Sequence, residues 1–76
     1  MSADVLKKAE RLLAARRFPE TISLLEPLVI DYRESFYFHY LLGTACLYVG
    51  DIGGAELYYK RARNLKMTDP RLINAQ

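Results

Sequence analysis

Two residues carry the chemistry of a nucleophile or a metal ligand: His39, the only histidine, and Cys46, the only cysteine. Seven positions apart, they lie about two turns from each other on a helix and can share a face. A thiol beside an imidazole is the start of a nucleophile–base pair or half of a metal site. Two ligands are too few for a closed zinc site. The competing expectation is that both are core residues, with the imidazole satisfied internally. A second grouping, Lys60, Arg61, Arg63 and Lys66 with Tyr58 and Tyr59, has the composition of a basic, aromatic nucleic-acid surface. Positive charge toward a helix C-terminus is explained more simply by the helix dipole and by solubility. Glu56 stands at the right spacing to pair with Lys60. No catalytic constellation emerges, so the chain is expected not to be an enzyme and to need no metal or cofactor.

The elements that hold these residues all read as helical. Ser2 to Ala15 places Val5, Leu6, Ala9, Leu12 and Leu13 at helical spacing, with Ser2 or Asp4 as cap and Asp4–Lys8 as an i, i+4 pair. Arg16 and Arg17 close this helix. Pro19 opens a second, carrying Ile22, Leu24, Leu25, Leu28 and Val29. Pro27 inside it removes a backbone hydrogen bond, and a kink is expected there because the apolar pattern continues to Ile30; a break is the alternative. Asp31 to Ser35 links to a third helix, Phe36 to Val49, capped by Ser35. Gly50-Asp51 is a turn dipeptide whose glycine suits the left-handed end of a helix. Ile52 to Met67 is the fourth helix, despite Gly53 and Gly54 in its first turn, each costing roughly 1 kcal/mol against alanine. Thr68-Asp69-Pro70 repeats the cap-plus-proline start signal, so Arg71 to Gln76 is expected to begin another helix.

The stretch Tyr40 to Leu65 sets small residues (Gly43, Ala45, Ala55, Ala62) among large ones (Leu42, Leu47, Tyr59) around that turn. This L-G-x-A, G-D, A, Y-x-x-A spacing resembles the tetratricopeptide repeat (TPR), a helix-turn-helix unit of about 34 residues. A shift of the chain against itself by that period sets Ala9 on Gly43, Leu12 on Cys46, Leu13 on Leu47, Phe18 on Ile52, Thr21 on Ala55, Leu25 on Tyr59 and Leu28 on Ala62. Arg11 against Ala45, and Ile22 against Glu56, break the match and make the first copy degenerate. The resemblance implies an all-α chain of TPR repeats forming a short right-handed superhelical solenoid. Repeat one is residues 2–35, repeat two 36–69, and 70–76 start a further or capping helix. It also places His39 and Cys46 at packing positions between helices. Arrays of this kind usually need about three repeats, so the chain is expected to be the N-terminal piece of a longer protein.

In TPR proteins the first helix of each repeat lines the concave surface. The matching positions are Ala3, Leu6, Glu10, Leu13 and Ala14 in the first repeat, and Tyr37, Tyr40, Thr44, Leu47 and Tyr48 in the second. The latter five also recur as one helical stripe, while Leu42, Ala45, Cys46 and Val49 form another. A helix apolar on two faces is either fully buried or offers one face to a ligand. Tyrosine suits such a face, giving rigid contact area with a wet hydroxyl. The carboxylate-gripping lysine, arginine and asparagine of one TPR subclass are replaced here by Leu6, Glu10, Tyr40 and Thr44. The implied partner is therefore a protein or peptide, extended or helical, with apolar anchors. The alternative is self-association, with the aromatics mediating a homodimer or repeat stacking.

Composition narrows the remaining classes. At 76 residues the chain is one small domain, with 51% hydrophobic and 26% charged residues. A formal net charge of +2 is too small to argue for nucleic acid or an anionic membrane. One cysteine permits no intramolecular disulfide. No segment reads as a signal peptide or membrane span, and a cytoplasmic setting is expected.

Overall fold

A computed structural model describes residues 2–68, with side chains described for 4–65. The expected start of a helix at Arg71 to Gln76, the Asp69-Pro70 part of its start signal, and the side chains of Ser2, Ala3, Lys66 and Thr68 lie outside the described residues. Four α-helices follow in order: α1 (Ser2–Ala14), α2 (Phe18–Leu25), α3 (Phe36–Val49) and α4 (Ile52–Thr68). The described part of the chain is all-helical. Helices α1 and α3 begin 34 residues apart, and so do α2 and α4.

Each boundary has a local cause. At the end of α1, Arg17 N–H donates to the Leu12 carbonyl (2.8 Å) and Arg16 N–H to that of Leu13 (3.0 Å). Arg16 sits between them in the left-handed region, φ 62°. This is the Schellman arrangement, which satisfies carbonyls a helix end leaves free. The end of α3 repeats it: Asp51 N–H donates to Cys46 (2.9 Å), Gly50 N–H to Leu47 (3.1 Å), and Gly50 has φ 91°. Ser35 starts α3, its hydroxyl accepting from the Phe38 N–H at 3.2 Å. Asp51 starts α4, its carboxylate accepting from the Gly54 N–H at 3.0 Å. That cap offsets part of the cost of Gly53 and Gly54.

Helix α2 differs from the expected kinked helix through Val29. It ends as α-helix at Leu25, and Glu26–Leu28 tighten into a 3₁₀ turn before the link. Pro27 has no N–H for the Ser23 carbonyl, and its ring crowds that carbonyl, so the i, i+4 ladder stops. Val29 N–H bonds to Glu26 instead, and Tyr32 N–H reaches Leu28. Ile30, read as a continuation of the apolar pattern, is consequently exposed.

Helix α3 is the hub, packing against α1, α2 and α4, whereas α4 packs chiefly on α3. Ala9, Leu25, Phe38, Leu41, Leu42, Cys46 and Ala55 form the buried cluster. Tyr32 stacks on Phe38 with ring centres 4.8 Å apart, fixing the link to the hub. Between α3 and α4, Gly43 lies under the Tyr59 ring, where a Cβ would come within 2.9 Å of Cδ1. Two buried polar side chains are satisfied locally: the Thr21 hydroxyl donates to Arg17 O (2.9 Å), and His39 Nδ1 to Ser35 O (2.8 Å). Among the described residues the ion pair is Arg17–Glu20, at 2.7 Å; Asp4–Lys8 and Glu56–Lys60 do not form.

Candidate interaction surface

The all-apolar character of α3 divides by face. Phe38, Leu41, Leu42, Ala45 and Cys46 are buried. On another side Tyr37, Tyr40, Leu47 and Tyr48 remain 39%, 46%, 43% and 64% exposed. Val49, grouped with the second stripe by sequence, is exposed too, because the helix ends before anything covers it.

The exposed rings are held rather than loose. Tyr37 and Tyr40 stack with centres 6.4 Å apart, Phe36 and Tyr40 at 6.1 Å, and Tyr40 meets Tyr59 at 5.9 Å. Thr44 donates its hydroxyl proton to the Tyr40 carbonyl at 2.8 Å. The 2.8 Å contact between the Thr44 and Tyr59 hydroxyls must then have Tyr59 as donor. Thr44 is thus committed within the molecule. The sequence gives no sign of this, since it depends on α4 crossing α3 at Gly43.

Residues of α1 expected on the same surface fall into two kinds. Glu10 is exposed and accepts a hydrogen bond from the Tyr37 hydroxyl, tying α1 to α3. That bond, followed by partial burial and the Glu10 charge, raises the Tyr37 phenol above its ordinary pKa. Leu6 and Leu13 are half-buried, each packing partly against the core. At the far end Phe18 stacks on Tyr48, centres 4.8 Å apart. Leu13, Ala14, Arg16, Phe18, Thr44 and Tyr48 surround a cleft there of about 240 Å³. Phe18 and Arg16 enter through the α1–α2 turn, a contribution the stripe on α3 alone does not reveal.

The other candidates resolve differently. His39 and Cys46 are both buried, with His39 tied to Ser35 and in edge contact with Phe38. Burial, then the charges of Asp51 and Glu26, push the Cys46 thiol up, which keeps it in its unreactive protonated form. No group of three or more metal-ligating side chains occurs among the described residues. Among the described residues, the basic side chains Lys60, Arg61 and Arg63 do not form one patch. Arg61 lies over the Tyr58 ring at 5.6 Å, while Lys60 and Arg63 line a separate groove with Tyr59. No helix among the described residues is long and apolar enough to cross a membrane.

No family model, curated protein or solved structure matches the chain.

Proposed function

We propose that the chain is a TPR-type scaffold that binds a partner peptide or helix on the face formed by Tyr37, Tyr40, Leu47 and Tyr48. In this reading it works in the cytoplasm and catalyses no reaction. The observation that carries the proposal is the continuous exposure of these four side chains on α3, the helix that otherwise supplies most of the core. Support for the repeat reading comes from recurrence: helix starts and both turn hydrogen bonds return at the same spacing. The positions set in register by the TPR resemblance also share burial at Ala9 and Gly43, and at Thr21 and Ala55. Rings already ordered by stacking lose little conformational freedom on binding, which favours them as anchors. Glu10 and Thr44 are occupied within the molecule, so the partner is recognised mainly by apolar contact.

A screen of immobilised peptides tests this, comparing the wild type with Tyr40→Ala/Tyr48→Ala. The expected result is retention of peptides with apolar anchors, weakened about thirtyfold by the substitutions, the scale of one interface hot spot. Retention of no peptide, or retention indifferent to the two tyrosines, would sink the proposal.

A further inference from the structure

We propose that two copies of this chain pair through the outer strip of α4, antiparallel about a two-fold axis passing between Tyr59 and Lys60. Helix α4 packs chiefly on α3, burying Ala55 and Ala62 and setting the Tyr59 ring over Gly43. Exposed Glu56, Lys60 and Arg63 run along the flank of that contact at i, i+4 and i+7, and half-buried Tyr59 borders them at i+3. They line a shallow groove of about 520 Å³. Ile52, also exposed, extends the strip by one turn. Glu56, Lys60 and Arg63 take part in no ion pair among the described residues. Glu56 and Lys60 leave their pair unmade although they stand one turn apart.

The order of these residues is what selects a second copy. From N- to C-terminus the strip reads acid, aromatic, base, base. A two-fold contact requires that if one residue meets another, the reverse contact also occurs. Laid against itself in reverse, the strip sets Glu56 of each copy opposite Arg63 of the other. Lys60 of each then lies beside the half-buried Tyr59 of the other, whose ring stays over Gly43. A parallel contact would instead set acid on acid and base on base. The strip adjoins the α3 tyrosines but excludes Tyr37, Tyr40 and Tyr48, so this pairing stands or falls separately from peptide binding.

Sedimentation equilibrium over a concentration series, on the full 76-residue chain, tests it. The wild type is expected to rise from 8.8 kDa toward twice that mass. Glu56→Arg alone and Arg63→Glu alone each set like charges against each other and should weaken pairing at least about tenfold. An equimolar mixture of the two variants should pair again, since each offers the charge the other lacks. The double variant E56R/R63E should pair with itself. Restoration in the mixture also shows that both singles are folded. A wild type that stays monomeric throughout overturns the proposal. So do single variants that keep the wild-type mass, a mixture that stays monomeric, or pairing abolished by Tyr40→Ala/Tyr48→Ala and untouched by the charge changes.

Discussion

Between α1 and α2 the chain passes through the left-handed region at Arg16; between α3 and α4 it does so at Gly50. Both turns close with the same two hydrogen bonds, yet one uses an arginine where the other uses glycine. The pairs diverge again one residue later. Arg17 gives α2 no side-chain cap, whereas Asp51 caps α4. Proline then ends α2 after 8 residues, while α4 runs for 17. The first pair thus holds its shape against weaker local preferences. What compensates is tertiary: Thr21 and Leu25 of α2 are fully buried against the hub, and Phe18 stacks on Tyr48. Packing can carry a helix whose own ends are poorly specified.

The severest way to break this contrast is to remove the packing. Phe38→Ala deletes a fully buried ring from the junction and should cost about 3–5 kcal/mol, read as a shift of the urea midpoint. Because α3 packs on every other helix, both pairs should lose amide protection together. Survival of α3 and α4 alone would show that the second pair folds independently. Exchanging the turn residues sharpens the comparison at smaller scale. Gly50→Arg should lose about 1–2 kcal/mol, the strain of a side chain at φ 91°. Arg16→Gly should instead gain roughly 0.5 kcal/mol, relief of strain being partly offset by a freer unfolded chain. Equal effects of the two changes would mean that the turns are not equivalent in energy.

The smallest effect concerns the tie between the pairs. The Tyr37 phenol, raised by its bond to Glu10, should titrate above the ordinary tyrosine range. Whatever stability that bond supplies is present at neutral pH and is lost only as pH climbs through the raised value. Ultraviolet titration of the wild type against Tyr37→Phe isolates this phenol from the other tyrosines. Glu10→Gln should bring its midpoint down, and an unchanged midpoint would show that the bond does not form.

Much of the second pair is legible in the sequence because its signals are local. Ser35, Gly50 and the Phe36–Val49 span act within a few residues of themselves. The exposed tyrosines follow from helical spacing on a helix with more apolar faces than neighbours. The first pair is harder to read for the same physical reason that makes it interesting. Its turn lacks glycine, and the apolar run through Ile30 masks the end that Pro27 imposes. Leu6 and Leu13 have the spacing of surface positions, and only the fold shows that the core covers part of each. Thr44 looks like a free hydroxyl until α4 supplies Tyr59. Side-chain partners set by crossing helices are not encoded at any sequence spacing.

The buried His39 turns one backbone carbonyl into a readable signal. A carbonyl oxygen can only accept, so the 2.8 Å contact with Ser35 requires Nδ1 to carry the hydrogen. Neutral imidazole then exists here as a single tautomer, with Nε2 bare. Nitrogen NMR distinguishes that form from the mixture found in an unfolded chain. As the sole histidine, it gives one unoverlapped resonance pair at the joint between the helix pairs. Loosening of that joint, by heat or by partner binding, would be visible there without any label added elsewhere.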